Sequence, residues 1–249
     1  MLSRTSCMRH IFSRSFQLLL AAFAFICTTA VAHTQEGDRS VRRVHYAQAQ
    51  QDPVTIIENR AANVVESAMH VRADRANRLE AEKTLVNQLR PLDADKLDST
   101  DIQISKHGLT AFLDYLGRYR DSSEIVLHKL EDSVAILRSD MPKLYRESFM
   151  SRFLTAYTAD MNAFDQYTLA VSELYKEVIS LLSFIDNSQH ELKKGKLVFS
   201  DVKTEKTYQK NMKTLTKRNA DLKKAAKASN ETENSLRSAT DHLFEKPSE

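Results

Sequence analysis

Turn-forming residues are scarce in this chain, and that scarcity limits the folds open to it. Its 249 residues include only 4 Gly and 4 Pro, whereas β-sandwiches and α/β enzymes need a turn residue roughly every ten positions. Apolar residues recur at helical spacing over most of the chain, which also argues against disorder. No proline interrupts a periodic segment, because Pro53, Pro91, Pro142 and Pro247 all lie at segment boundaries. The sequence therefore predicts an all-α protein made of long helices.

The prolines divide the chain into about four predicted helices. In chain order, these are a helix from about Pro53 to Arg90, a helix capped by Ser99, Thr100 or Asp101, a helix started by Asp140-Met141-Pro142 that runs to about His190 and is capped near Gly195, and a last helix after the extended run Leu197–Phe199. An elongated antiparallel bundle with short loops lets each apolar face cover another. It is predicted as a single domain over residues 52–246, with residues 247–249 as a tail.

Apolar residues at helical spacing define the predicted core faces. Those faces are Ile57, Ala61, Val64, Ala68, Val71, Leu79, Val86 and Leu89 in the first helix; Ile104, Leu109, Leu113, Leu116, Ile125, Leu127, Leu130, Val134 and Leu137 in the second; and Phe149, Phe153, Tyr157, Met161, Phe164, Leu174, Val178, Leu181, Leu182 and Ile185 in the third. Gly108 and Gly117 lie within the second helix, and a bend or a late start near Gly108 is an open alternative.

The last helix shows the most regular pattern. Its seam positions follow alternating steps of four and three: Tyr208, Met212, Leu215, Asn219, Leu222, Ala226, Ser229, Glu233, Leu236, Thr240 and Leu243. This spacing is typical of coiled-coil-like packing. A two-stranded coiled coil is the alternative to the bundle, and polar residues weaken the seam toward the C-terminus.

The first 32 residues are predicted to be a secretory signal. Arg4, Arg9 and Arg14 precede an apolar run, and a small-x-small site ends at Ala32, so the exported chain would begin at His33. An uncleaved membrane anchor and a mitochondrial transit peptide are the alternatives. Residues 33–51 are polar and rich in Gln, which indicates a flexible leader. The expected location is the periplasm or the extracellular space.

Removal of that signal changes the charge and the cysteine content. Three of 36 basic residues and none of 33 acidic residues lie in it, so the remaining chain carries 33 of each sign. A neutral chain gives no reason to expect nucleic-acid binding. Both cysteines, Cys7 and Cys27, are also removed, which excludes a disulfide framework in the exported chain.

Gly195, Phe199 and the run Tyr208 to Asn211 (Tyr-Gln-Lys-Asn) resemble the link before the last helix of the YiaF-like envelope proteins of Gram-negative bacteria. The resemblance covers about fifteen residues. It implies a periplasmic helical protein. That family resembles lipoproteins with a modifiable Cys. Cys27 of this sequence does not fit that pattern, because Ile26 precedes it where a lipoprotein signal has a small residue.

His128 and Glu131 are the candidate metal ligands. They lie three residues apart, one helical turn, so both side chains can reach one ion. This HxxE spacing resembles the imelysin-type metal-binding motif of exported iron-related proteins. The flanking small residues of that motif are replaced here by Val126 and Leu127. A solvated surface pair is the alternative, and no cofactor is expected.

A basic stretch is the candidate partner-binding feature. Residues 191–228 contain 12 Lys or Arg and 4 acids. Six side chains outside the seam are predicted to face solvent or an anionic partner: Lys210, Lys213, Lys217, Arg218, Lys223 and Lys224. A merely solvated lysine-rich face is the alternative. Aromatic residues are too sparse there for stacking on nucleic acid.

These patterns predict a non-enzymatic, exported binding or scaffold protein. No nucleophile-elbow motif or Gly-rich phosphate loop is present, although a triad assembled in space stays open. The expected partner is a protein or an anionic component of the cell envelope, and peripheral membrane contact and self-association also stay open. A periplasmic holdase-like chaperone and a metal-binding envelope protein are the alternative functions.

Overall fold

The computed structural model describes residues 53–193 and 195–239. The predicted signal over residues 1–32, the leader over residues 33–51 and the tail over residues 247–249 lie outside this part of the chain. Cys7 and Cys27 lie outside it as well.

Four long helices make up almost all of the described chain, which confirms the predicted all-α fold. They are α1 (Pro53–Gln88), α2 (Ser99–Asp140), α3 (Lys143–Asp186) and α4 (Val202–Ser238), with a short 3-10 turn at Ala94–Lys96 and two short strands, β1 (His190–Lys193) and β2 (Lys196–Phe199).

Consecutive helices run antiparallel, as the sequence predicted. Arg60 at the start of α1 binds Asp140 at the end of α2, with 3.0 Å between Nη1 and Oδ2. Ser99 at the start of α2 likewise donates a hydrogen bond of 3.0 Å to Asp186 at the end of α3. α3 packs most extensively on α4 and α1 on α2, while α1 meets α4 over a shorter stretch. The described chain is therefore an antiparallel four-helix bundle.

Two helix starts differ from the sequence prediction. Asp98, rather than Ser99, Thr100 or Asp101, caps α2, and its Oδ1 accepts the Asp101 backbone N–H at 2.9 Å. Asp140 ends α2, and Pro142 takes the N-cap position of α3 without a side-chain cap. The short link between α2 and α3 explains the second difference. Only Met141 and Pro142 separate the two helices, so the same residues must end one helix and start the next.

Along α2 and α3, about one residue in three or four is buried in the core. Its largest fully buried side chains include Phe149, Phe153 and Phe164 of α3, Met69 and Leu79 of α1, and Ile102, Leu109, Leu127 and Leu130 of α2. Apolar burial of this kind supplies most of the stabilisation of a helical bundle. The predicted face of α3 is confirmed, since nine of its ten named residues are buried.

The predicted faces of α1 and α2 are partly wrong. Val71 is 39% exposed and Ile104 and Ile125 are 53% and 54% exposed. The buried line of α1 instead passes through Val65 and the charged Arg72. The predicted buried face was drawn from apolar residues only. It therefore included Val71 instead of the neighbouring Arg72, a charged residue that is buried with a partner.

α2 passes through Gly108 without a break, so a late helix start there is excluded. A Cβ atom at Gly108 would lie 2.5 Å from Cδ1 of Leu89, whereas a Cβ at Gly117 would meet nothing within 4 Å. The missing side chain at Gly108 therefore admits Leu89 of the neighbouring segment.

Gly117→Ala should raise the free energy of unfolding by about 1 kcal/mol, because Ala loses less backbone entropy than Gly in a helix. Urea unfolding followed by circular dichroism measures this gain. Gly108→Ala is the matched control, and its gain should be smaller because Leu89 must move. Equal gains at the two positions would contradict the close approach of Leu89.

The predicted extended run after α3 is the second strand of a hairpin. α3 ends at Asp186, earlier than predicted, and Gly195 lies in the hairpin turn with φ +70° rather than at a helix C-cap. Phe199 of β2 is buried, with its ring 5.9 Å from that of Phe184 and 5.1 Å from that of Tyr208. These aromatic contacts attach the hairpin to α3 and α4.

None of the described helices has an apolar run long enough to span a bilayer.

Candidate functional site

The orientation of α4 decides where its lysines point. The buried residues of this helix are Leu215, Asn219, Leu222 and Leu236, and all four belong to the predicted seam. The seam residues Tyr208, Met212, Ala226, Ser229 and Glu233 are partly buried, while Thr240 and Leu243 lie outside the described residues. The predicted seam therefore faces the bundle, and the opposite side of α4 faces outward.

Five lysines form one line on that outward side, which we call the lysine stripe: Lys206, Lys210, Lys213, Lys217 and Lys224. All five are exposed, and they follow one another at steps of four, three, four and seven residues. Such steps keep side chains on one face of a helix. At 1.5 Å per residue, the stripe is about 27 Å long.

The charges of the lysine stripe are not balanced by neighbouring carboxylates. Within the described residues, none of the five ammonium groups forms an ion pair with a carboxylate within 4.0 Å. Lys227, just beyond the stripe, does pair with Glu231 at 3.6 Å. Like charges three or four residues apart on a helix each cost a few tenths of a kcal/mol, roughly. The stripe is thus a surface whose charge repulsion an anionic partner would relieve.

Two of the six predicted partner-binding residues lie elsewhere. Arg218 points toward α3, where its Nη1 is 2.6 Å from Oε2 of Glu173. Lys223 is exposed, but it lies one residue before Lys224 and therefore about 100° around the helix. The structure adds Lys206, which the sequence analysis missed. Its position four residues before Lys210 was the signal that could have identified it.

His128 and Glu131 lie together on an exposed part of α2. His128 Nδ1 is 3.8 Å from Glu131 Oε2, and their side chains are 64% and 44% exposed. The hydroxyl of Tyr157 lies 3.5 Å from the same Nδ1. Among the described residues, no group of three or more His, Cys, Asp or Glu side chains could hold a metal ion. A tetrahedral ion on these two ligands would need at least two further ligands.

A buried ion pair inside the bundle was missed by the sequence analysis. Arg72 of α1 donates to Asp160 of α3, with 2.5 Å between Nη1 and Oδ2 and side chains 6% and 0% exposed. Thr232 of α4 donates to the other carboxylate oxygen at 3.4 Å, and the guanidinium lies 5.3 Å from the ring centre of Phe164. Burial raises the pKa of Asp160, an effect that the positive charge of Arg72 opposes. The pair therefore links α1 and α3 through charge, and the hydroxyl of Thr232 adds α4 through a hydrogen bond.

Two tyrosines near this ion pair have raised pKa values. Burial raises the pKa of Tyr119 from 10.0 to about 12, although the charge of Arg72 opposes the shift. Burial, followed by the charge of Glu131, raises the pKa of Tyr157 from 10.0 to about 12 as well. The folded protein thus holds both phenol protons more tightly than the unfolded chain does.

Stability should consequently be complete below pH 10 and fall as the pH rises toward 12, since the unfolded chain loses these protons first. Urea unfolding at a series of alkaline pH values measures the fall. The double variant Tyr119→Phe/Tyr157→Phe should show a flatter decline over the same window. A decline as steep as that of the wild type would contradict the raised pKa values.

The lysine stripe and the Arg72–Asp160 pair differ in what they offer a partner. The stripe is open to large ligands, whereas the pair is enclosed by α1, α3 and α4. Only the stripe is accessible without opening the bundle.

Comparisons with family models, with curated proteins and with solved structures found no match to this chain.

Proposed function

We propose that this protein is a non-enzymatic binding protein of the cell envelope or the extracellular space, and that its lysine stripe binds an anionic partner. The observation that carries this proposal is the line of five exposed lysines without carboxylate partners among the described residues. An anionic partner gains attraction from all five charges at once and relieves their mutual repulsion. The flat helix surface suits an extended partner better than a small substrate, which needs a concave site.

Export is part of the same proposal and rests on the sequence of residues 1–32. Three arginines, an apolar run and a small-x-small site support a cleaved signal, and the resemblance around Gly195 and Tyr208 to YiaF-like envelope proteins agrees with it. The processed chain would begin at His33, which N-terminal sequencing of the exported form tests. A full-length chain embedded in the membrane would overturn this part.

Binding to soluble polyphosphate tests the stripe. We expect the fourfold variant Lys206→Gln, Lys213→Gln, Lys217→Gln, Lys224→Gln to bind polyphosphate about tenfold more weakly or worse, with a shallower dependence on salt, because fewer counterions are released on binding. Its melting temperature should change little, since exposed charges contribute little to stability. Isothermal titration calorimetry at several salt concentrations measures the affinity and its salt dependence. Thermal unfolding measures the melting temperature.

The matched control removes the same charge elsewhere. Lys129, Lys143, Lys176 and Lys223 are exposed and lie off the stripe, so their joint replacement by Gln lowers the net charge equally. This control should bind nearly as the wild type does. If both variants lose the same affinity, only the overall charge matters and the stripe is not a site.

A holdase-like chaperone is the alternative function, and one observation favours it. In the described parts of α1 and α2, six large aliphatic side chains are more than a third exposed: Ile56, Val71, Leu85, Ile104, Ile125 and Ile136. Exposed apolar surface is what a holdase needs for binding unfolded chains. Suppression of aggregation of a heated client protein would support this alternative. If the lysine variant lost that effect, the activity would instead depend on the lysine stripe.

A further inference from the structure

Three apolar side chains are exposed where the hairpin joins α4. Leu192 of β1, Val198 of β2 and Val202 at the start of α4 are 44%, 40% and 71% exposed. Val198 lies next to Phe199, and neighbouring residues of a strand point to opposite faces. Since Phe199 is buried against Phe184 and Tyr208, the inner face of the hairpin is attached to the bundle and Val198 points away from it. Leu192 is paired with Leu197 and therefore lies on the same hairpin face as Phe199, so it does not share the outward side of Val198.

Val202 extends the line of the lysine stripe at the start of α4. Val202 lies four residues before Lys206, one helical turn earlier on the same face of α4. The outward side of this end of α4 therefore begins with an apolar side chain and continues with ammonium groups.

Positive charge exceeds negative charge around this junction. Residues 190–206 contain five Lys and three acids. Two of the acids are engaged within the chain: Glu191 pairs with Lys193 at 2.7 Å, and Asp201 accepts the backbone N–H groups of Lys203 and Thr204 as the N-cap of α4. Five Lys against three acids give this segment a formal net charge of +2, which attracts an external anion.

We infer that the anionic partner of the lysine stripe is a lipid bilayer with acidic headgroups, and that Val198 and Val202 enter its interface. This inference rests on the proposed function. Lysines near an acidic bilayer surface gain attraction from it, while apolar side chains gain by leaving water for the acyl-chain boundary. A soluble acidic protein or polymer would use the lysines alone and would leave Val198 and Val202 in water.

The chain contains no Trp, so one introduced Trp reports on one position. The test uses the processed chain, which begins at His33 in the proposal above, carrying Val202→Trp. Its fluorescence should shift to shorter wavelength with vesicles of equal parts phosphatidylcholine and phosphatidylglycerol, and should stay unshifted with soluble polyphosphate. Leu144→Trp is the matched control: Leu144 is 72% exposed and lies at the far end of α3, so its emission should not change with either probe.

A second variant measures the apolar contribution through affinity. The double variant Val198→Gln, Val202→Gln changes only exposed positions, so it should fold. It should bind the acidic vesicles about tenfold more weakly or worse, because the variant gains less by leaving water, while polyphosphate binding stays unchanged.

The outcomes separate this inference from the proposal beneath it. Polyphosphate binding that depends on the stripe, together with vesicle binding without a Val202→Trp shift, would overturn the membrane inference and leave the anion-binding function standing. Failure to bind either probe would overturn both.

Discussion

Arg72→Met should lower the free energy of unfolding by about 3–5 kcal/mol, because it leaves a buried carboxylate without its cation. Asp160 is fully buried, and its remaining polar contact from α4 is the hydroxyl of Thr232 at 3.4 Å. Removing one member of a buried pair costs far more than the pair itself contributes. Urea unfolding at neutral pH, followed by circular dichroism, measures the loss.

Two comparisons give this prediction its specificity. Arg60→Met breaks a pair whose side chains are 52% and 45% exposed, so it should cost no more than about 1 kcal/mol. The double variant Arg72→Met/Asp160→Leu should recover most of the lost stability, because no charge then remains buried. If Arg72→Met costs no more than Arg60→Met, the pair is not buried as described.

The cost of Arg72→Met should also depend on pH. Burial raises the pKa of Asp160, and loss of the neighbouring cation raises it further. As the pH falls below that pKa, the carboxyl group becomes neutral and its burial costs less. The difference between Arg72→Met and wild type should therefore shrink in acid, and a difference that grows in acid would contradict the assigned charges.

Phe153→Ala should lower the free energy of unfolding by about 3–5 kcal/mol, the cost of emptying a packed aromatic site. Phe153 is fully buried, with its ring 6.0 Å from that of Phe149 and 5.8 Å from that of Tyr157. These three residues lie in one core cluster with Leu127, Leu130 and Leu137 of α2. Removing the central ring therefore opens a cavity between α2 and α3.

Leu144→Ala is the control for Phe153→Ala. Leu144 is on the same helix but 72% exposed, so its truncation should change stability by no more than about 0.5 kcal/mol. Thermal unfolding of both variants under the same conditions gives the comparison. Similar losses at the two positions would contradict the orientation of α3.

Local pattern was sufficient to place the helices and to orient α4. Pro91 and Pro142 lie in the links between helices, and the steps of four and three through Leu215 and Leu222 place that seam against the bundle. The four stripe lysines among the six predicted residues are exposed for the same reason. Helix formation and amphipathic orientation depend on residues within a few turns of one another, and such information is present in one stretch of sequence.

Pairing between distant residues was beyond that information. Arg218 appeared to be an outward-facing cation, but Glu173, 45 residues earlier on α3, holds it at the helix interface. No local pattern places the charged Arg72 in the core, but Asp160, 88 residues away, compensates its charge there. Tertiary structure alone decided both, because the energy of a charged side chain is set by the partner and the solvent exposure that the packed helices give it.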